Sequence, residues 1–332
     1  MVWLRFTEEA SACPACRSPR LTMIDVIPVT RGAKGRRIAF LAGCVECGLV
    51  FTNPMPTEEA RAQYYADEGP YRVHKLEAAE QKRRERKARP RSATRTPRAR
   101  DLLLDALVPY VPVHDPPPGA KVLDFGCGDG KMLNPLQDAG WETYGIEPST
   151  GVAFTRHQRL AAPPADGRFD FVILHHVLEH VRNPLDILQE LGAATREGGT
   201  IFISLPGLDA LPVHGNFRYC LDGRKHLMCF SEACLTTLLA RAGFAVTARI
   251  QSTALDLALT EGQPLRLRLI ATRASHPPAP PRDPLAAAIT ALSRYGRKRD
   301  PIGARLRGVL PVRLRAGLMN RARERDTPRR GH

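Results

Sequence analysis

Three groups of residues in this chain have types and spacings that could do chemistry. The first is the run KVLDFGCGDGKML, residues 121–133, where Gly126, Gly128 and Gly130 alternate after an apolar stretch that contains Asp124. Glycines in such a turn let the backbone approach a ligand closely, and a helix that follows offers unpaired N–H groups and a positive dipole end. Two nucleotide readings fail on spacing. A dinucleotide fingerprint needs G-x-G-x-x-G, but position 131 is Lys; a P-loop needs G-K-[ST], but Gly130-Lys131 is followed by Met132. What remains is a ligand with a carboxylate or amine at the loop and a ribose near Glu147. An acid at that second strand end can accept hydrogen bonds from both ribose hydroxyls, and Asp124 could orient an ammonium.

The second group is the run HHVLEH, which holds His175, His176, Glu179 and His180, with His226 further on in RKHLMCF. H-x-x-E-H is the spacing of an inverted zinc-protease motif, which needs both histidines on one face of a regular helix. Here the motif directly follows an apolar strand pattern and the next helix opens only at Asn183-Pro184, so the protease reading is set aside. Histidines remain suited to proton transfer near neutral pH. A divalent ion at Glu179 and His180 is a further reading. The third group is two knuckles, Cys13-Pro-Ala-Cys16 and Cys44-Val-Glu-Cys47-Gly48. Each can bring two thiolates to one tetrahedral Zn²⁺. The interval between them exceeds the usual ~15–20 residues, room that a β-hairpin can fill. Cys127, Cys220, Cys229 and Cys234 are expected to be ordinary thiols.

The elements that must hold these groups follow from pattern. Residues 1–56 place the knuckles around β-like stretches, RLTMIDVIPV and RRIAFLAG, and form a zinc-ribbon-like module too short for a core of its own. Residues 57–119 are helical and basic, opening with Thr57-Glu58-Glu59 as N-cap and first turn and closing at VPVHDPPPG. Residues 120–273 alternate strand and helix signals, which predicts a mainly parallel sheet. KVLDF, TYGIE, FDFVIL and TIFISLP are its strands, and helices are expected near 131–140, from Ser149, from Pro184 and from Ser231 to a Gly243 stop. FAVTARI and LRLRLIATR alternate in polarity and are expected to close the sheet as an antiparallel hairpin. Residues 274–332 are a Pro-rich linker and a basic tail.

The formal net charge is +15 over 332 residues, but it is not spread evenly. Residues 81–100 hold ten Lys and Arg against one acid, and residues 291–332 thirteen against three, so the remaining chain is slightly acidic. Such segments can meet nucleic acid or an anionic surface, or stay as solvated arms. Arginine outnumbers lysine 41 to 8, a bias that fits GC-rich coding as well as phosphate binding. Aromatic residues for base stacking are absent from 81–100, and only Tyr295 stands in the tail. The N-terminal residues lack a basic segment followed by an apolar run, no apolar stretch is long enough to span a membrane, and a cytoplasmic protein is expected.

Taken in series, VLDFGCGDG, GIEPS, FDFVILHHVLEH, NPLDILQEL, EGGTIFISLP and RKHLMCFSEACLTTLLARAGF resemble the class I S-adenosylmethionine-dependent methyltransferases, over about residues 120–273. The resemblance implies an α/β, Rossmann-like, mostly parallel seven-stranded sheet with its last strand antiparallel. It implies that Gly126, Gly128 and Gly130 line the methionine moiety of S-adenosylmethionine, that Glu147 holds its ribose, and that Asp124 and His175 also serve the cofactor. The loop after the fourth strand then faces the acceptor, with His176, His180 and His226 as catalytic candidates and Glu179 beside them. Between Glu147 and Phe169 the chain is shorter than is usual in the family, so the third strand is expected to be truncated, with Asp166 standing in for the acid that faces adenine. The run CGLVFTNPMPTEEARAQYYADEG resembles an N-terminal module of methyltransferases from polysaccharide and secondary-metabolite pathways. The expected acceptor is therefore a small molecule or saccharide, methylated at oxygen. The alternatives are RNA gripped by the ribbon and basic segments, and an inactive binding module.

Overall fold

A computed structural model describes residues 7–30, 37–66, 99–149, 156–208, 220–221, 225–250 and 266–277. The tail at 291–332, nearly all of the basic segment 81–100 and most of the helix expected from Ser149 lie outside the described residues.

Among the described residues the first element is the short strand β1 (Thr7–Glu8), followed by β2 (Leu21–Thr30) and β3 (Arg37–Cys44), which pair as the antiparallel hairpin expected between the knuckles. Strands β4 (Val50–Thr52) and β5 (Met55–Pro56) follow, and helix α1 (Glu58–Tyr65) starts where the Thr57 hydroxyl accepts the Ala60 N–H at 3.2 Å. Helix α2 (Ala99–Asp105) leads into the α/β domain.

That domain contains β6 (Lys121–Phe125), α3 (Leu133–Asp138), β7 (Glu142–Ile146), β8 (Gln158–Arg159), β9 (Phe169–His175), a 3₁₀ turn (Leu178–His180), α4 (Pro184–Ala194), β10 (Thr195–Pro206), β11 (Met228–Cys229), α5 (Glu232–Arg241), β12 (Phe244–Arg249) and β13 (Arg266–Arg273). Its seven-stranded sheet runs β12-β13-β10-β9-β6-β7-β8. The pairings β6–β7, β6–β9, β9–β10 and β7–β8 are parallel, whereas β13 is antiparallel to both its neighbours, as the alternation in its sequence predicts. The shortened third strand is present as the two residues of β8.

Central strands are buried on both faces, which is why FDFVILH reads as a continuous apolar run. Phe171, Ile173, Phe202 and Ile270 pack with Trp141, Leu104 and Leu133 on one face. Phe169, Val172, Leu174, Ile203 and Leu269 pack with α4 and α5 on the other. Helix α4 lies so close to the end of α5 that a Cβ on Gly192 would stand 2.5 Å from the Ala242 carbonyl.

The second face is also where the N-terminal module sits. Cys13, Ala15, Cys47, Leu49, Phe51 and Met55 belong to the same apolar core as Leu174, Leu205 and Phe230. The ribbon sheet itself has order β11-β4-β3-β2, so its outermost strand comes from the domain, with Met228 opposite Phe51 and Cys229 opposite Val50. Arg182 adds a tie, donating to the Pro56 carbonyl and to Glu8 at 2.7 Å each.

Candidate cofactor and acceptor site

The glycine loop leaves β6 at the carboxyl edge of the sheet, where open α/β sheets bind their ligands. Gly126, Gly128 and Gly130 all have φ in the left-handed region, 80°, 54° and 72°. At Gly126 the requirement is double, because a Cβ there would also meet Cγ2 of Val177 at 2.7 Å. Gly126 N–H and Cys127 N–H both donate to the Ile146 carbonyl, folding the loop over the end of β7. The Cys127 thiol is pushed up to about 12 by burial and then by Asp124 and Glu147, so it is a neutral thiol.

Two carboxylates flank this loop. Glu147 accepts the Gly128 N–H at 2.8 Å on one oxygen and the Ser149 N–H at 3.0 Å on the other. Asp124 is buried, and burial followed by the charge of Glu147 raises its carboxyl to about 7. In the ligand-free protein this acid therefore keeps its proton to near neutrality, and a cation brought to the loop would release it. An ammonium next to a ribose is the donor set this pair suits, so the residues present fit the sulfonium cofactor that the sequence resemblance implies.

Arg159, from the two-residue strand β8, donates to the carbonyls of Glu147 at 2.8 Å and Ser149 at 3.1 Å. It clamps the turn that carries Glu147. Sequence reading passed over it because the segment looked like the remnant of a strand. Asp166 engages the Arg168 guanidinium with both oxygens, at 2.9 and 2.7 Å from Nε, on an exposed turn.

The histidines gather at the neighbouring strand end. His175 closes β9 two residues beyond Ile173, the register partner of Asp124, and so shares its face. Across the sheet it is level with Ser204, and Ser204 with the buried Arg268, a polar row that strand patterning alone does not reveal. Burial, then His176, lowers His175 to about 3, so it is neutral. His176 adopts φ 60°, an uncommon conformation for a non-glycine residue, held by its N–H bonding the Ser204 carbonyl and its Nδ1 bonding Glu179 Oε1 at 2.8 Å.

Glu179 is fully buried. Burial alone would raise its carboxyl, but the hydrogen bond from His176 and the nearby His176, His180 and His226 prevail and hold it at about 2. His180 lies 2.8 Å through Nδ1 from the Lys225 carbonyl and edge-on to His226, ring centroids 4.8 Å apart; burial lowers it to about 4. His226 places Nδ1 3.2 Å from the Cys220 carbonyl. The structure thus brings His176, His180 and His226 around one carboxylate. It adds Tyr65 of α1, whose hydroxyl is 3.2 Å from His180 Nδ1, a contact with no signal in the sequence.

The four knuckle cysteines also converge. Their Sγ atoms all lie within 4.8 Å of one another, with Cys13–Cys47 and Cys16–Cys44 at 3.5 Å. Four sulfurs about 2.3 Å from one Zn²⁺ would stand about 3.8 Å apart, so the quartet fits a structural zinc. Without a cation the thiols compete: contacts with other knuckle sulfurs push Cys13 and Cys47 up and lower Cys16 to about 7.

Residues 91–249 match a family model described as a methyltransferase domain. An uncharacterized methyltransferase of Mycobacterium bovis is 33% identical over 103 residues, covering 27% of this chain and 41% of that one. The mitochondrial ubiquinone biosynthesis O-methyltransferase of Rattus norvegicus is 30% identical over 129 residues, 33% of this chain and 37% of that one. The chain thus spans about two-fifths of the length of the curated relatives it matches. Among solved structures, 1,6-didemethyltoxoflavin-N1-methyltransferase of Burkholderia thailandensis is 18% identical with a TM-score of 0.45, over 75% of this chain and 99% of that one. Among the described residues no helix is long and apolar enough to cross a membrane. The glycine loop and the histidine cluster both lie within residues 91–249, the stretch that matches the methyltransferase-domain model.

Proposed function

We propose that the protein transfers a methyl group from S-adenosylmethionine to a hydroxyl of a small-molecule or saccharide acceptor. The observation that carries this reading is the pairing of two environments at one sheet edge: Asp124 and Glu147 around a glycine loop, and a buried carboxylate ringed by histidines beside it. The first suits a cationic nucleoside, and the second suits a hydroxyl that must lose a proton. The relatives named as O-methyltransferases support transfer to oxygen.

In this reading Gly126, Gly128 and Gly130 admit the methionine moiety, Asp124 meets its ammonium and Glu147 accepts from the ribose, while His175 borders the same edge. The cofactor supplies an electrophilic methyl on a sulfonium. His176 is the base. His180, held at about 4, is too weak a base near neutral pH, whereas Nε2 of His176 is buried with no hydrogen-bond partner among the described residues. The acceptor hydroxyl would give its proton to that nitrogen, which frees its oxygen to take the methyl that the bound cofactor would supply. Glu179 stabilises the imidazolium through Nδ1, while His180 and His226 position the acceptor. Most of the rate would come from alignment, since in-line displacement chiefly needs the partners held in place.

The test is calorimetric titration of the full chain with S-adenosylhomocysteine, beside Glu147→Gln. Micromolar binding that weakens at least about tenfold in the variant is expected, roughly the 1.4 kcal/mol of one charged hydrogen bond. No binding by folded protein would overturn the reading and leave a binding module. RNA is the alternative that the basic segments raise; it would show as nucleic-acid affinity falling steeply with salt.

A further inference from the structure

We propose that Glu179, His180 and His226 form a divalent-cation site, distinct from the cysteine quartet, in which the ion receives an acceptor bearing two adjacent oxygens. One ligand atom from each of the three residues lies within 4.8 Å of the others, and Oε1 of Glu179 stands 3.9 Å from His180 Nε2. That separation is too long for a hydrogen bond and close to the spacing of two donors on one ion.

The proton positions support the same assignment. Nδ1 of His180 faces the Lys225 carbonyl and Nδ1 of His226 the Cys220 carbonyl. A carbonyl only accepts, so both rings carry hydrogen on Nδ1 and a lone pair on Nε2. Metal-binding histidines have this arrangement, with the far N–H fixed on a backbone carbonyl that sets tautomer and ring orientation. A second, independent sign is Glu179 Oε2. It belongs to a fully buried carboxylate and has no hydrogen-bond partner among the described residues. Such an atom normally costs stability, and a cation beside it removes the cost.

An ion about 2.1 Å from each donor needs donors nearer than about 4.2 Å, which the 3.9 Å between Glu179 Oε1 and His180 Nε2 meets. Two imidazoles and a carboxylate suit borderline ions such as Mn²⁺, Fe²⁺, Co²⁺ or Zn²⁺, whereas four thiolates select Zn²⁺. Three protein ligands leave coordination positions open, and a vicinal dihydroxy or hydroxycarbonyl compound could fill two of them. The ion would acidify the coordinated hydroxyl before His176 takes its proton. This last role rests on the methyltransferase reading; the metal site does not.

The experiment uses the full chain with its ribbon zinc retained, freed of loosely held metal and titrated with Mn²⁺ by electron paramagnetic resonance. Binding of S-adenosylhomocysteine is measured on the same samples. One Mn²⁺ per chain is expected, weakened at least about tenfold in Glu179→Gln and in His226→Gln. It should be unchanged in His114→Gln, a surface histidine paired with Asp105. Unfolding of either variant is scored by circular dichroism, and the other then decides. Absence of Mn²⁺ uptake, or equal uptake by folded variants, overturns the site even where the nucleoside binds. Mn²⁺ uptake without nucleoside binding keeps the site and overturns the methyltransferase reading instead.

Discussion

Asp124 shows how one residue can report on the whole site. Its carboxyl, 3.8 when unperturbed, rises to about 7 in the fold, first by burial and then by Glu147. The folded protein therefore binds this proton more tightly than the unfolded chain does. Its contribution to stability is fully present below about pH 4 and fades as pH rises through about 7. In the ligand-free protein this should appear as a loss of about 2–4 kcal/mol between pH 4 and 8, absent in Asp124→Asn. Ligand binding should run the other way. If an ammonium pairs with ionised Asp124, affinity for S-adenosylhomocysteine increases with pH between 6 and 8, and the variant shows a flat profile. Chemical denaturation and calorimetry across pH read the two arms separately. A parallel pH slope in Asp124→Asn would mean that another group titrates.

At the scale of elements, helix α5 shows how local signals survive into the fold. Ser231 Oγ accepts the Cys234 N–H at 3.1 Å, and Gly243, φ 85°, follows its last turn, as Ser-Glu at one end and Ala-Gly at the other predict. Replacing Ser231 by Ala should cost about 1 kcal/mol in denaturant titration with an unchanged m-value. The parallel strands were equally readable, because burial on both faces leaves a continuous apolar run that few other environments produce. Two features were not readable. Strand β8 has only two residues, below the length at which alternation says anything, yet its Arg159 clamps the turn bearing Glu147. The pairing of β11 with β4 joins residues far apart in sequence, and two-residue Met228–Cys229 carries no sign of which sheet it enters. The histidine cluster was half legible. H-x-x-E-H announces its own members, but His226 converges only because β11 docks on the ribbon, and Tyr65 because α1 follows it.

For the whole molecule, that docking ties the ribbon to the histidine cluster, the acceptor site in the proposed function. The Thr52 N–H bonds the Leu227 carbonyl at 2.9 Å, and the Leu227 N–H bonds the Glu179 backbone carbonyl at 2.7 Å, so a chain of backbone bonds runs from the β4 strand to the residue that bears the buried carboxylate. The knuckle cysteines lie in the same apolar core as Leu174 and Leu205 of the central strands. A metal that closes the knuckles should therefore stabilise the domain as well as the module, unlike a bead on a tether. The opposite face of the sheet offers a distant reporter, because Trp141 packs there with Phe171 and Val113. In a Trp3→Phe background its emission is the chain's sole tryptophan signal. If the knuckles hold a metal, chelating it, or changing Cys44 to Ser, should lower the Trp141 melting temperature by about 5 °C or more. Loss of Mn²⁺ uptake at the Glu179 cluster should accompany it in the same transition. If the Trp141 transition stays in place while the knuckles lose their metal, the two bodies fold independently. The shared strand would then be a contact between finished units, and the acceptor site would need another source of rigidity. A shift of both signals together would mean that a metal closing the knuckles also holds the histidine cluster in place.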